Sequence, residues 1–294
     1  MTDVLPILLK DIEKIANSIF SVADVNKVKD IAKNTILDYY IYVFTKSRGV
    51  QYIEDYCRHV EDFANRFGME KETYLDINVN EIGNIFSEIN EYALVKTELG
   101  YVFNFSKVER KIKGSYYTPR MLVDLLIESA LIPTVNDLYE MGGIRAVLEM
   151  SILDPAVGSG AFIIPAAKYV STFIYNHDEK KEFKSYQDVY RFVLRHCMYS
   201  VDLDEYALKA LKLIMWSEYN DPTLPLTIFD KQIKHGNALI GILDPAELQK
   251  LIKNGIPDNA YDCLTGDDPA FCKELKRINR EQRERLKNPN QQLF

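Results

Sequence analysis

The chain has 294 residues, 47% of them apolar, and a formal net charge of −7 at pH 7. This length permits two domains of ordinary size with a substantial core. An uncharged apolar run of about 18 residues, as a membrane span needs, is absent from the sequence, and the N-terminus lacks the basic segment of a signal peptide, so we expect a cytoplasmic protein with no membrane partner. The acidic balance argues against an autonomous nucleic-acid binder; any such contact would be local or made by another polypeptide.

Residues 1–110 are predicted to form an α-helical N-terminal domain, because apolar residues recur there at helical spacing and glycine and proline are sparse. We expect no active site of its own in this domain. Two Glu-x-Lys strings, at residues 109–111 and 179–181, match half of a metal-dependent nuclease motif. Neither follows an evident strand pair with a partner aspartate, so we do not expect a nuclease.

Residues 111–294 have a different character, since glycine and proline punctuate short apolar runs. The runs at 151–154, 197–202 and 231–237 predict strands. Helical patterns lie around and between them, at 119–131, 161–173 and 205–216. Alternation of strands and helices predicts a parallel sheet of the α/β class, and ligands of such sheets bind at the carboxyl ends of the strands.

The strongest motif is DPAVGSGAF at residues 154–162, which follows the first predicted strand and opens a helix. Gly158 and Gly160 allow a sharp turn and a close approach of the backbone to a ligand. An acidic residue, Asp154, precedes the glycines and would repel a pyrophosphate but attract a cation. The ammonium and sulfonium groups of S-adenosylmethionine therefore suit this turn better than a dinucleotide does.

Three further strings have polar residues where a ligand could be held. At the end of the second strand, Asp202 is predicted to accept hydrogen bonds from ribose hydroxyls, and Asp204 is predicted to cap the next helix. Asn237, after the third strand, could bond the edge of an adenine ring. The string GSYYTPR at 114–120 precedes a helix, and Thr118 and Pro119 suit its N-cap and first position; capping leaves the paired tyrosines unexplained.

In this order the four strings resemble the gamma-class N6-adenine-specific DNA methyltransferases, above all the fused restriction–methylation and phage-exclusion types. The resemblance covers roughly residues 111–241 and implies an incomplete Rossmann-like core that binds S-adenosylmethionine. It implies a methionine end lined by Tyr117, Thr118 and Pro119 and a floor shaped by Asp154, Ala156, Gly158 and Gly160. It further implies that Asp202, with Leu203 beside it, holds the ribose and that Asn237 lies near the adenine.

One departure from the family concerns its catalytic motif, Asn/Asp/Ser-Pro-Pro-Tyr/Phe, which does not occur in these 294 residues. In the family that motif accepts the hydrogens of the adenine amine and stacks on the flipped base. Asn288-Pro289-Asn290 is the nearest string, but it lacks the second proline and the aromatic residue. We therefore assign no catalytic residue, and we expect the chain to be a fragment, a split subunit or a truncated gene product. Alone it is expected to be inactive and to act on DNA with a second polypeptide that carries the catalytic and target-recognition parts.

Two other functions remain open at this point: a catalytically silent module that senses the cofactor or bridges subunits, and a methyltransferase acting on protein glutamine or RNA. The polar C-terminal stretch from Phe271 onward has seven Lys/Arg against three Glu. It is predicted to be a solvated helix, with a nucleic-acid contact as the alternative. No metal site is expected, because the cysteines show no C-x-x-C spacing; they are Cys57, Cys197, Cys263 and Cys272.

Overall fold

A computed structural model describes residues 4–19, 24–50, 54–106, 118–238, 257–262 and 269–287. The chain divides into two compact units, residues 1–236 and residues 237–294. None of the helices in the described part combines the length and the apolar character needed to cross a membrane.

The N-terminal region of the first unit contains five α-helices. Helix α1 buries Leu8, Ile12 and Ile15 along one face, as its helical spacing predicts. The Asp24 carboxylate caps α2 by accepting the N–H groups of Asn26 and Lys27. The helices are α1 (Leu5–Ser18), α2 (Val25–Ser47), α3 (Glu54–Phe67), α4 (Lys71–Leu75) and α5 (Ile82–Ile89), with a 3-10 turn at Val79–Glu81 before α5.

An antiparallel hairpin follows α5, with strands β1 (Tyr92–Thr97) and β2 (Gly100–Phe105). The prediction of an entirely helical region was therefore wrong for these residues. The outer edge of β2 is bonded to α1, because the side-chain oxygens of Asn17 and Glu13 accept the N–H groups of Tyr101 and Phe103 at 2.6 and 2.7 Å. The helix thus satisfies a strand edge that would otherwise be open. Leu99, at the hairpin tip, is fully exposed.

A long helical segment precedes the sheet: α6 (Arg120–Leu126), a π-helical turn (Ile127–Leu131) and α7 (Ile132–Leu148). Non-helical backbone at Gly142 and Gly143 breaks α7. The predicted cap is shifted by one residue, because Pro119, with ψ of 137°, is itself the N-cap of α6 and accepts the Leu122 N–H at 2.9 Å. The prediction of Thr118 as the N-cap and Pro119 as the first helical residue was therefore wrong by one residue. Because proline has no side-chain acceptor, only its backbone carbonyl takes part in this cap.

A three-stranded parallel sheet forms the rest of the first unit, in the order β3 (Ile152–Asp154), β4 (Met198–Asp202), β5 (Ile233–His235). The three strands fall where the sequence predicts them. Helices α8 (Ile163–His177) and α9 (Tyr186–His196) connect β3 to β4, and α10 (Glu205–Tyr219) leads towards β5. This confirms a mixed helix-and-sheet fold with parallel strands, whereas the pattern at 186–196 was not recognised as a helix.

The N-terminal helices and the parallel sheet share one hydrophobic core, which includes Ile36 of α2, Phe86 of α5, Met198 of β4 and Leu211 of α10. Polar contacts join the same elements: the Tyr206 hydroxyl donates to the Asp30 carbonyl at 2.8 Å. The first unit is therefore one packed body, and the predicted boundary at residue 110 stays a prediction.

In the second unit the described residues form a 3-10 turn (Asp258–Tyr261) and helix α11 (Pro269–Lys287). Several basic side chains of α11 have acidic partners: Asp258 accepts from Arg280 at 2.6 Å and also from Arg283. Arg277 pairs with Glu274 and Glu281. The predicted helix is present, and these ion pairs support its description as solvated; the alternative of a nucleic-acid contact stays a prediction.

Candidate functional site

The candidate site lies where β3 and β4 end, side by side. Residue Asp154, the last of β3, pairs in register with Ser200 of β4, and Asp202, the last of β4, pairs with His235 of β5. Because the strands are parallel, their carboxyl ends meet at one edge of the sheet, where open α/β sheets bind ligands.

The glycine turn, residues 155–161, leaves β3 at this edge. Gly158 and Gly160 adopt φ of +54° and +101°, values that other residues rarely reach. Gly160 also packs so closely on α10 that an added Cβ would lie 2.6 Å from Leu211 Cδ1. At Gly158, by contrast, a Cβ would meet nothing within 4 Å. The turn therefore has one closed side, against α10, and one open side, at Gly158.

The Asp202 carboxylate holds the turn by accepting a hydrogen bond from it. Its Oδ2 accepts the Gly158 N–H at 2.7 Å, and its Oδ1 accepts the N–H of Asp204 at 2.8 Å. The ladder between the strands also continues past β3, since the Val157 N–H donates to the Val201 carbonyl at 3.1 Å. Asp202 thus organises the turn through its own contacts, a role that the sequence did not predict.

Asp154 contributes a second carboxylate to the site. Its Oδ1 accepts the Ala156 N–H at 3.1 Å, whereas its Oδ2 is buried and has no hydrogen-bond partner among the described residues. Burial raises the pKa of Asp154; the Ala156 N–H opposes this rise and the negative charge of Asp202 adds to it. The half-buried carboxylates of Asp154 and Asp202 lie at the same edge of the sheet, and one oxygen of Asp154 has no hydrogen-bond partner among the described residues. This concentration of negative charge suits a cation.

Asp204 and Leu203 occupy the turn after β4. The Asp204 carboxylate caps α10 by accepting the N–H groups of Tyr206 at 2.9 Å and Ala207 at 3.4 Å, which confirms its predicted role. The Leu203 carbonyl lies 3.0 Å from His235 Nε2, and the Leu203 side chain is 59% exposed. Leu203 therefore presents an apolar surface next to Asp202.

Four other predicted site residues lie outside the glycine turn in the sequence. Tyr117 lies outside the described residues. Thr118 is half-buried and Pro119 exposed at the start of α6, and no hydrogen bond within the described part of the chain joins either residue to the glycine turn. Asn237 is half-buried and begins the second unit. For these four residues a cofactor contact stays a prediction. Of the other predicted residues, Ala156 is exposed on the turn and donates its N–H to Asp154.

A residue that the sequence analysis missed, Gly83 of α5, touches the glycine turn directly. A Cβ added there would overlap the Ser159 side chain, with Ser159 Cα only 3.5 Å away. An isolated glycine inside a helical pattern is a signal of close packing, and it could have drawn attention to this position. Nowhere in the described residues do three His, Cys, Asp or Glu side chains group as a metal site would need.

Comparison with known proteins gives two matches. Residues 83–219 match the family described as N-6 DNA Methylase. Over 218 residues the chain is 25% identical to the type II restriction enzyme and methyltransferase RM.Eco57I of Escherichia coli. The matched region covers 66% of this chain and 21% of that protein. The chain thus spans about a fifth of the length of this relative. No solved structure gives a significant match.

Proposed function

We propose that this chain, which resembles the N-6 DNA methylases over part of its length, is the S-adenosylmethionine-binding part of a DNA adenine-N6 methyltransferase. The system would be one of restriction-modification or phage defence. The observation that carries the proposal is the glycine turn held by Asp202, with its open side at Gly158 and the Asp154 carboxylate beside it. Bound there, the cofactor would supply a methyl group attached to a positively charged sulfonium.

Three features of the site fit this cofactor. The backbone at Gly158 faces open space, since a Cβ built there would meet nothing within 4 Å. The buried Asp154 Oδ2 has no partner among the described residues, and a cationic ammonium would satisfy it. The exposed Leu203 side chain next to Asp202 offers an apolar surface for a flat base. A dinucleotide fits less well, because its pyrophosphate would approach two carboxylates.

Each residue then has a proposed role. Asp202 accepts from the ribose hydroxyls in addition to the backbone N–H groups, since each carboxylate oxygen can accept more than one hydrogen bond. Asp154 and Ala156 shape the floor under the methionine part, and Leu203 lies near the adenine. Tyr117, Thr118 and Pro119 line the methionine end, as the resemblance implies.

Methyl transfer needs an acceptor site as well as a donor site. Holding the donor does little for the rate unless the amine of the base is oriented and its protons are accepted. The family motif that does this is absent from residues 1–294. We therefore propose that sequence outside these 294 residues, on the same or on a second polypeptide, supplies the acceptor and target-recognition parts, and that residues 1–294 alone do not methylate DNA.

Exposed apolar side chains on β3 and α6 support the proposal that a further part of the enzyme packs against this chain. In the described part of the chain, β3 pairs with β4 alone, and its Leu153 is 59% exposed, although parallel strands are usually covered on both faces. Helix α6 buries only Val123 and exposes four large apolar side chains: Met121, Leu122, Leu125 and Leu126. A helix that is apolar on several sides normally packs against a partner.

The first experiment is titration calorimetry of the purified chain with S-adenosylmethionine and with its demethylated product. We expect both to bind. Asp154→Asn should weaken the binding of both ligands about tenfold, or about 1.4 kcal/mol, because both carry the ammonium group that we pair with Asp154. The exposed Asp76→Asn is the matched control and should leave both affinities unchanged. Absence of heat and of any thermal shift at millimolar cofactor would refute the proposal.

The second experiment measures transfer of a tritiated methyl group to mixed-sequence DNA. We expect no transfer by the chain alone and transfer after addition of the polypeptide encoded next to it. Transfer by the chain alone, abolished by Asp154→Ala, would reveal an acceptor site within these residues. Cofactor binding without transfer under either condition would favour the silent, bridging module.

A further inference from the structure

The contact between α5 and the glycine turn is direct and has no room for a side chain. Gly83 is the second residue of α5 and is buried. A methyl group in its place would overlap Cβ and Oγ of Ser159 far inside the separation of about 3.5–4.0 Å that carbon atoms prefer. Because the nearest atom is a Cβ, fixed to the backbone, rotating the serine side chain would not relieve the overlap.

Ser159 is the middle residue of the part of the turn that would face the cofactor. Its neighbours in the turn, Gly158 and Gly160, both have positive φ. The Gly158 N–H donates to Asp202 Oδ2 at 2.7 Å, and the Gly160 N–H donates to the Val157 carbonyl at 2.9 Å. A displacement of Ser159 would therefore move the groups that define the open side of the turn.

Helix α5 is the firmer of the two partners in this contact. It is fixed in the core by Ile82, Phe86 and Ile89, each at most 3% exposed. The turn, in contrast, has exposed residues at Ala156 and Ala161. A group added at Gly83 should therefore shift the turn more readily than the helix.

Further contacts tie the N-terminal helices to α10, which closes the other side of the turn at Gly160. The Lys209 Nζ donates to Asn34 Oδ1 at 3.0 Å and to Asp38 Oδ1 at 3.3 Å. Leu211, which contacts Gly160, lies on the same helix as Lys209. The turn is thus held between α5 and α10.

We propose that Gly83 is a positioning residue and that α5 of the N-terminal region forms the wall against which the cofactor turn is set. The identity of the ligand rests on the proposed function, whereas the positioning role of Gly83 rests on its contact with Ser159. The match to the N-6 DNA methylases begins at this same residue. The cofactor-binding unit therefore includes α5, and the N-terminal helices contribute to binding rather than forming a separate accessory.

The test is a rescue experiment on the whole chain, with calorimetric affinity for S-adenosylmethionine as the readout. We expect Gly83→Ala to weaken binding at least tenfold, although alanine is the better helix former. Adding Ser159→Gly removes both clashing atoms and should restore the affinity to within about threefold. Adding Ser159→Ala instead keeps the Cβ and should not restore it. Asn84→Ala, the neighbouring change in α5, is the control and should have no effect.

A second readout separates this inference from the proposed function. Hydrogen exchange of residues 156–161, measured without any ligand, should be faster in Gly83→Ala and should return towards normal with Ser159→Gly. If Gly83→Ala does not fold, Ser159→Val tests the same contact from the turn side. Normal affinity and normal exchange in Gly83→Ala would overturn the inference. A wild-type chain that binds no cofactor refutes the proposed function, while the exchange data still decide the role of Gly83.

Discussion

Replacement of Asp202 by alanine removes two hydrogen bonds at once, from Gly158 at 2.7 Å and from Asp204 at 2.8 Å. A hydrogen bond to a charged group contributes about 1.5–3 kcal/mol net. Both donors belong to half-buried residues, so water can partly replace the carboxylate and the lower end of the range applies. We expect the free energy of unfolding to fall by about 2–3 kcal/mol in the absence of ligand.

The affinity for S-adenosylmethionine should fall separately. The variant lacks the acceptor for the ribose, and its turn has lost the bond that holds Gly158. We expect a loss of about 1–3 kcal/mol, or roughly 5- to 150-fold in the dissociation constant. Asp202→Asn should also weaken binding, because its amide keeps one acceptor oxygen but no charge.

Urea unfolding and calorimetry distinguish these two effects. Trp216 is the single tryptophan and is 3% exposed on α10, so its fluorescence reports on the unfolding of this part of the protein. Asp204→Ala is the matched control: it should lose a helix cap, about 0.5–2 kcal/mol of stability, with an affinity within about twofold of the wild type. Unchanged midpoint and unchanged affinity in Asp202→Ala would refute the reasoning. Lost stability with normal affinity would remove the ribose role alone.

Three further predictions concern other parts of the chain. Because burial raises the pKa of Asp154, its carboxylate should be neutralised at a higher pH than an ordinary aspartate. As the pH falls, cofactor binding should weaken while folding stability gains from the proton taken up. Asp154→Asn should flatten the pH profiles of affinity and of stability, and equal slopes in the two proteins would contradict this. Leu125→Lys on α6 should reduce capture of the second polypeptide without changing cofactor affinity; unchanged capture would refute a docking role for this face. Arg280 and Arg283 lower the pKa of Asp258, so the ion pairs between Asp258 and α11 should stabilise the helix above about pH 4 and be lost as the pH falls further. Asp258→Asn should speed hydrogen exchange in α11 at neutral pH, and an unaltered rate would show that the ion pairs contribute little.

The strands and the helix cap could be predicted because their signals are local. Asp202 ends an apolar strand and Asp204 follows it, and the prediction of a cap at Asp204 needed only the helical run that begins at Glu205. The parallel direction of β3, β4 and β5 followed from the alternation of strands and helices, since a helical crossover returns the chain to run in the same direction. Position within the sequence was sufficient for these features.

The contacts that set the turn could not be predicted in the same way. The approach of Gly83 to Ser159 joins residues that are far apart in the sequence, and nothing near either residue specifies the other. The hairpin at residues 92–105 was missed because its second strand is stabilised by Asn17 and Glu13, which lie far away in the chain. Tertiary contacts of this kind override local pattern.

The hairpin tip has a practical consequence. Leu99 is fully exposed, and the strand after it is bonded to α1 rather than held by the tip itself. Small additions at exposed loop tips are generally tolerated. A fluorophore or a short epitope placed at Leu99 would therefore label the N-terminal region without altering the glycine turn, and would allow its association with DNA or another polypeptide to be followed directly.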